Sequence, residues 1–183
     1  GRDFAVTRFI YEDIDKDRKS IGYLGTAMQG ELFDSYVHSL DAHYTSSAGS
    51  IVADAQVMMS DRDDVEGYGG LFDVMWAVSG SLRHKFELEY MDEDVNFNDM
   101  GFLRRNDYAQ ARYIMLYNKQ DVSDLISNYR TTVTLEQGYN INEGQQITNG
   151  IYWRNSFVLP GRNTVKATFA YPVSYTHLRA HET

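Results

Sequence analysis

Long segments of this sequence alternate apolar and polar residues with a period of two, and this alternation constrains the fold more than any other feature. In residues 82–90 the even-numbered positions are apolar or aromatic except for one histidine, whereas the odd-numbered positions carry two basic and two acidic side chains. Successive side chains of a β-strand point to opposite faces, so this period predicts strands with one apolar and one polar face. Helical periodicity is hard to find. The sequence therefore predicts an all-β protein.

The alternating segments and the turn residues between them predict about ten strands. We place them at 4–11, 20–29, 35–45, 50–60, 67–78, 82–91, 107–117, 123–136, 146–159 and 164–172. Most are longer than the about 5–6 residues usual in soluble proteins and match the roughly 9–11 residues of a tilted transmembrane strand. Short connections predict an antiparallel up-and-down meander that forms part of a transmembrane β-barrel. From the fourth strand onward we expect short connections to alternate with longer acidic ones at 61–67, 91–106 and 138–145.

The pattern leaves two environments open for the apolar face. In a membrane barrel it meets lipid and the polar face lines the lumen, whereas in a soluble sandwich it forms the core. Aromatic residues near strand ends resemble the aromatic girdle of a membrane barrel: Tyr68, Tyr90, Tyr117, Trp153 and Tyr171. This resemblance favours the barrel. The alternative is a soluble all-β carbohydrate-binding module in which the aromatic side chains stack on sugars.

The barrel interpretation also predicts which side chains line the lumen. They occupy the polar positions of the alternating segments: Asp54, Gln56, Arg83, Lys85, Glu87, Glu89, Arg112, Arg130 and Glu136. Both signs of charge occur among them, as expected for cross-strand ion pairs or an ion-selective constriction. Pairing is the simpler explanation.

Composition excludes several functional classes. The chain has 17 basic and 26 acidic residues, and this net charge of −9 argues against a nucleic-acid partner. No run of about 18 apolar residues occurs, so a transmembrane helix is not expected. The chain contains no cysteine, which removes disulfides, thiolate metal sites and cysteine nucleophiles.

Ser39, Asp41 and His43 form the one Ser/Asp/His grouping in the sequence and share one face of a predicted strand. Nucleophilic catalysis needs the histidine to contact both partners, but side chains two residues apart on a strand are separated by nearly 7 Å. A polar lumen face explains these residues better. We expect no catalysis in this segment, and a barrel hydrolase that uses the three residues is a second alternative.

The acidic segment 92–99 carries oxygen-bearing side chains at alternate positions, among them Asp92, Asp94 and Asn96. Carboxylate and amide oxygens are ligands for Ca²⁺, so weak calcium binding is a hypothesis for this segment. The segment lacks the central glycine and the terminal glutamate of an EF-hand, and a solvated acidic loop is the alternative. We expect no other metal or cofactor.

Several stretches together suggest a family. They are 4–9, 20–23, 40–43 and 96–113, and the most specific piece is the motif Gly101, Phe102, Leu103, Arg104 and Arg105. They resemble the uncharacterised C-terminal outer-membrane β-barrel domain that follows a carbohydrate-binding family-nine-like module in Gram-negative bacteria. The resemblance implies an outer-membrane location, lipid as a partner, a glycan context and no established catalytic residues.

The ends of the sequence suggest its domain organisation. We expect residues 1–172 to be a fragment of one outer-membrane barrel domain, with a further domain of the same protein before Gly1. Val173–Thr183 breaks the strand pattern and resembles a translated sequencing adapter, so we expect residues 173–183 to be a non-native tail. The predicted function is a membrane-anchoring or pore-forming barrel domain of a surface protein connected with glycan binding or processing.

Overall fold

A computed structural model describes residues 1–97 and 105–172 of the chain. These residues form ten strands: β1 (Arg2–Asp13), β2 (Arg18–Gly30), β3 (Ser35–Thr45), β4 (Ile51–Arg62), β5 (Val65–Ala77), β6 (Leu82–Met91), β7 (Tyr108–Ser123), β8 (Ile126–Asn140), β9 (Gln146–Val158) and β10 (Thr164–Pro172). The described ranges contain no α-helix, only a short 3-10 turn at Pro160–Arg162. Within the same ranges no helix has the length and hydropathy needed to cross a membrane.

The ten strands form a single antiparallel sheet in which each strand pairs with its neighbours in the sequence. The predicted all-β, up-and-down meander of about ten long strands is thus confirmed. Strands β1 and β10 are the two edges, and the sheet is not closed into a ring. Contacts between elements are concentrated between sequence neighbours, so the strands form one layer rather than two packed sheets.

The connections differ from the predicted alternation of short and long. The segment 61–67, predicted to be a long acidic loop, is a hairpin whose turn consists of Asp63 and Asp64 with φ angles of 54° and 62°. Two successive positive φ angles are typical of the type I′ turn, which joins antiparallel strands through two residues. The connection 92–107 is much longer than the other eight. The predicted alternation is therefore wrong.

The boundary between β7 and β8 also differs from the prediction. We expected a connection at 118–122, but β7 continues to Ser123 and β8 begins at Ile126. The residues 118–121 are all polar and therefore carry no alternation signal. Their pairing with β8 includes a register shift between Gln120 and Ser123, where Asp121 has a φ angle of 49°. Backbone hydrogen bonding therefore continues these two strands beyond the residues whose side-chain alternation predicts a strand.

The strand register assigns every strand residue to one of two faces. One row of directly paired residues crosses the sheet through Glu12, Ser20, His43, Asp54, Asp73, Glu87, Arg112, Glu136, Gly150 and Pro172. We call the side that this row occupies the polar face and the opposite side the apolar face. All nine residues predicted to share a face, from Asp54 to Glu136, lie on the polar face.

The apolar face is continuous from β2 to β10, and none of the described residues forms a second layer over it. Its large apolar side chains include Ile21, Leu40, Val57, Phe72, Trp76, Phe86, Leu88, Leu135, Ile151, Trp153 and Phe169, all of which are exposed. Buried apolar side chains in the described ranges are few: Met28, Met91 and Val95. The structure therefore has no ordinary hydrophobic core.

The same row of paired residues shows that the strands are staggered. It begins at Glu12, beside the connection 14–17, and ends at Pro172, the last residue of β10 at the opposite end of the sheet. Across the nine pairings the row moves by roughly eight residues relative to the ends of the strands. At about 3.3 Å per residue this is about 27 Å along the strands. With about 4.8 Å between strands, this slope corresponds to a strand tilt of about 30–35°.

Strand β1 departs from the pattern of the other strands. Its polar-face positions include Phe4, Val6 and Ile10, which are 59%, 67% and 63% exposed. This edge strand therefore presents apolar side chains on both faces. The structure shows no residue that covers them within the described ranges.

Candidate functional site

A chain of alternating charges runs across the centre of the polar face. Lys85 Nζ lies 2.8 Å from Glu87 Oε1 and 3.7 Å from Asp73 Oδ1. The guanidinium of Arg112 donates to the other oxygen of Glu87 at 2.8 Å and lies 3.5 Å from Glu136. These five residues come from the consecutive strands β5, β6, β7 and β8. The register between these strands places their charged side chains next to one another. We call this set the charged belt.

Each member of the charged belt keeps a side-chain exposure between 18% and 37%. Partial exposure leaves the charges in contact with water while the alternation of sign neutralises them locally. Such an arrangement suits a wet polar surface, because a fully buried network would carry a large desolvation cost. Sequence reasoning predicted Lys85, Glu87, Arg112 and Glu136 but did not include Asp73.

A second ionic contact crosses β2 without involving a β2 side chain. The guanidinium of Arg8 on β1 donates to both carboxylate oxygens of Asp41 on β3, at 2.8 and 3.1 Å. The pair lies directly over Gly22, where an added Cβ would approach Asp41 Oδ2 to 2.5 Å. A glycine at position 22 is therefore what lets an ion pair span three strands.

The predicted Ser39, Asp41 and His43 grouping does not form a catalytic arrangement in this structure. Ser39 Oγ accepts a hydrogen bond from Gln56 at 2.8 Å, and Asp41 is held by Arg8. The Nδ1 atom of His43 is hydrogen-bonded to the Asp54 carboxylate, and its Nε2 atom is hydrogen-bonded to the Thr45 hydroxyl. Each of the three residues is engaged with a partner outside the grouping, which gives Ser39 no base to accept its proton.

The remaining residues predicted to line a lumen also lie on the polar face. Arg83, Glu89 and Arg130 share this face with the charged belt but form no ion pair with other residues in the described ranges. Of the family-like motif, Gly101, Phe102, Leu103 and Arg104 lie outside the described residues. Arg105 is half-buried just before β7.

The residues proposed for calcium lie at the start of the connection after β6. The carboxylate of Asp92 accepts the backbone N–H groups of Tyr68 and Val95, at 2.6 and 2.8 Å. Asp94 is exposed, and the described part of the chain contains no cluster of three or more His, Asp or Glu side chains placed to hold a metal ion. Weak calcium binding at Asp92, Asp94 and Asn96 stays a prediction.

Two histidines lie on the apolar face, a feature that sequence reasoning did not interpret. His84 lies between the rings of Trp76 and Tyr113, and its Nδ1 is 2.7 Å from the Tyr113 hydroxyl. His38 is stacked on Tyr23 and lies 2.8 Å from that hydroxyl. Each imidazole thus finds a polar partner within the apolar surface, which lowers the cost of placing it there.

Comparison with known proteins gives a family but no activity. The family described as "Domain of unknown function (DUF5916)" matches residues 18–178. No curated protein and no solved structure matches the chain. The family match covers nearly the whole sheet, from the start of β2 through β10.

Proposed function

We propose that this chain, which belongs to the family of unknown function that matches residues 18–178, is part of a membrane-spanning β-barrel that anchors a surface protein. The membrane is the outer membrane of a Gram-negative bacterium, and the polar face lines the lumen of the barrel. The protein acts as an anchor or a pore and carries no catalytic machinery in this segment.

The observation that carries the proposal is the uncovered apolar face. Soluble monomers rarely expose contiguous apolar patches larger than a few hundred Å². Here the exposed apolar side chains extend over nine adjoining strands, and Val57 and Phe86 near the middle are 58% and 47% exposed. Hydrocarbon is the medium in which such a surface is stable, because lipid covers it without a second layer of protein.

The opposite face and the stagger of the sheet support the same environment. A lumen wall needs both charges and water, and the charged belt from Asp73 to Glu136 supplies charges that are paired but partly exposed. A tilt of about 30–35° from the register is close to the roughly 35–45° of outer-membrane barrels. Strand lengths of nine residues and more fit a tilted crossing of the hydrocarbon.

The soluble alternative is a carbohydrate-binding module, which would bury its apolar face between two packed sheets. The single layer observed here offers no such burial. The connection with glycan binding or processing rests on the sequence resemblance, in which a sugar-binding module precedes the barrel domain. We therefore assign glycan contact to the parent protein and not to the ten strands.

Polarised infrared spectroscopy of the protein encoded by the complete gene tests the proposal. The protein is reconstituted into oriented phosphatidylcholine bilayers, and the amide I dichroism gives the strand tilt. We expect a tilt of about 35° and heat-modifiable migration in gels, as for a closed barrel in lipid. A protein that remains in aqueous solution as a folded monomer without detergent would support the soluble alternative instead.

A further inference from the structure

The first residues after β6, Asp92–Asn96, turn back over the polar face and form a segment that we call the strap. The strap begins with two hydrogen bonds to β5. The backbone N–H of Asp92 donates to Tyr68 O at 3.0 Å, and the backbone N–H of Tyr68 donates to the Asp92 carboxylate at 2.6 Å. The same carboxylate accepts the N–H of Val95, which fixes the turn of the strap.

The strap then crosses β5 and reaches β4. Val95 is only 1% exposed, and its backbone lies so close to Gly67 that an added Cβ there would approach Val95 N to 2.1 Å. The backbone N–H of Asn96 donates to the Ser60 hydroxyl on β4 at 2.8 Å. Both Gly67 and Ser60 lie on the polar face. A small residue at each crossing point is what allows the backbone to lie directly on the sheet.

A second set of bonds ties the strap to the far side of the same end of the sheet. Asn142, in the connection between β8 and β9, donates its side-chain amide to the Glu93 carboxylate, and Asn106 donates to the Glu93 carbonyl oxygen. Asp107 accepts the backbone N–H of Asn142 and donates its own N–H to Asp92 O. The strap is therefore held from β4 to the β8–β9 connection.

Burial in the described residues is deepest toward the end of the sheet from which the strap folds. The most deeply buried side chains of the sheet, Met28, Ser35, Ser60 and Met91, are between 0% and 3% exposed. All four lie on the polar face toward the end from which the strap folds. The polar face is thus open at the charged belt and covered at this end.

We propose that the strap is a fixed constriction that narrows the lumen at the end of the barrel from which it folds, the end that carries the connections 31–34 and 63–64. This inference rests on the proposed function, because a lumen must exist for the strap to narrow it. The strap restricts solutes by occupying space over β4 and β5. Hydrogen bonds to the backbone of β5, to Ser60 and to Asn106 and Asn142 hold it against the wall.

Single-cysteine labelling tests this inference, since these 183 residues contain no cysteine and any cysteine elsewhere in the complete protein is first replaced by serine. Ser60→Cys places a thiol beneath the strap, and Ser20→Cys places one on the uncovered part of the polar face. The reagent is a charged, membrane-impermeant methanethiosulfonate applied to the complete protein in phosphatidylcholine bilayers. We expect Ser60→Cys to react at least about tenfold more slowly than Ser20→Cys, because labelling requires the strap to open locally.

The strap's anchor supplies a second variant with a matched control. Asp92→Ala removes the acceptor of two backbone N–H groups, whereas Asp94→Ala changes an exposed side chain of the same segment. Loss of these two hydrogen bonds should raise the labelling rate of Ser60→Cys about tenfold for Asp92→Ala. Asp94→Ala should change it less than about twofold. The Ser20→Cys rate reports in each background whether the barrel itself is intact.

The outcomes separate the two proposals. Fast and equal labelling of both cysteines, in protein that is embedded in lipid, would overturn the constriction and leave the lumen assignment standing. No labelling of Ser20→Cys would show that the polar face is not wet, which would overturn the proposed function. Equal effects of Asp92→Ala and Asp94→Ala would show that the strap is not held by its anchor.

Discussion

The two faces of this sheet are built from the same ten strands but are stabilised by different interactions. On the polar face, residues on neighbouring strands hold one another: Arg8 reaches over Gly22 to Asp41, and Glu87 bridges Lys85 and Arg112. On the apolar face most side chains are aliphatic or aromatic, and no second layer formed by the described residues covers them. The side chains of the polar face bind one another within the sheet. The side chains of the apolar face need something outside the described residues to cover them.

This difference shows which face of the sheet is informative about the environment of the protein. Ion pairs and hydrogen bonds of the polar face would form in any wet setting, so they do not distinguish a lumen from bulk water. The exposed apolar face does distinguish the two settings, because in water its contact with solvent would be unfavourable over the whole sheet. Substitutions that compare the two faces are therefore the informative ones.

The largest contrast is expected between neighbouring residues in the centre of β4. Val57 lies on the apolar face and Gln56 on the polar face. Val57→Arg should cost roughly 2–4 kcal/mol if the position lies near the bilayer midplane, and Gln56→Arg should cost much less. Phe86→Arg on β6 should behave like Val57→Arg. Urea unfolding of the complete protein in lipid vesicles measures these costs, and equal values at Val57 and Gln56 would refute the assignment of the faces.

A glycine on each face gives the next contrast. At Gly22 an added methyl group collides with the Asp41 carboxylate, whereas at Gly70 on the apolar face the nearest atom, Gln56 O, is 3.5 Å away. Gly22→Ala should destabilise the protein by roughly 1–2 kcal/mol through displacement of the ion pair. Gly70→Ala should be neutral or stabilise by up to about 1 kcal/mol. The same unfolding assay compares them, and a cost at Gly70 as large as at Gly22 would show that the two faces are equally crowded.

The charged belt gives a smaller effect that depends on salt. Glu87→Gln removes the charge shared by Lys85 and Arg112, while Glu89→Gln changes a carboxylate on the same face that has no ion pair in the described residues. We expect a loss of about 0.5–1 kcal/mol for Glu87→Gln and less for Glu89→Gln. Because salt screens partly exposed charges, 1 M NaCl should narrow the difference. A difference that grows with salt would argue against pairing as the cause.

The smallest effect is expected outside both faces, at Asp17 in the connection between β1 and β2. The backbone N–H of Ser47 and the hydroxyl of Tyr44 donate to its carboxylate and hold the pKa of Asp17 below its ordinary value. A lowered pKa in the folded state stabilises the protein above the ordinary aspartate pKa, and this stabilisation is lost as the pH falls through the lowered value.

When the pH is lowered from neutral to about 3, the free energy of unfolding of the Asp17→Asn variant should therefore fall slightly less than that of the natural protein. Thermal unfolding of the natural protein and the variant at both pH values measures this difference. An identical acid sensitivity in the two proteins would show that the Asp17 contacts do not contribute to stability.

Sequence alternation predicted the fold class, the strand number and the face on which each charged residue lies, because side-chain direction follows from local backbone geometry alone. The partners within a face were harder to predict. Whether Asp41 meets His43 or Arg8 depends on the register between strands, and the register depends on turn lengths such as the two-residue turn at Asp63 and Asp64. That turn was predicted as a long loop from its acidic composition.

The strap could not be predicted from alternation either. Asp92, Glu93 and Asp94 indicate a solvated acidic loop by composition, yet the Asp92 carboxylate caps backbone N–H groups and Val95 is buried on the sheet. The available signal was the pair of small residues on the polar face, Ser60 and Gly67. Small residues at adjoining positions mark close approach of another backbone, but their pairing is visible only after the register is known.

The two tryptophans of the chain test most directly whether the apolar face meets lipid. Trp76 and Trp153 both lie on this face and are 51% and 46% exposed. In the complete protein, with Trp153 and any tryptophan outside these 183 residues replaced by Phe, lipids brominated along the acyl chains should strongly quench the fluorescence of Trp76. Moving the indole by one residue, with Trp76→Phe and Met75→Trp, places it on the polar face and should abolish most of that quenching. Equal quenching of the two proteins, or none in either, would contradict the account.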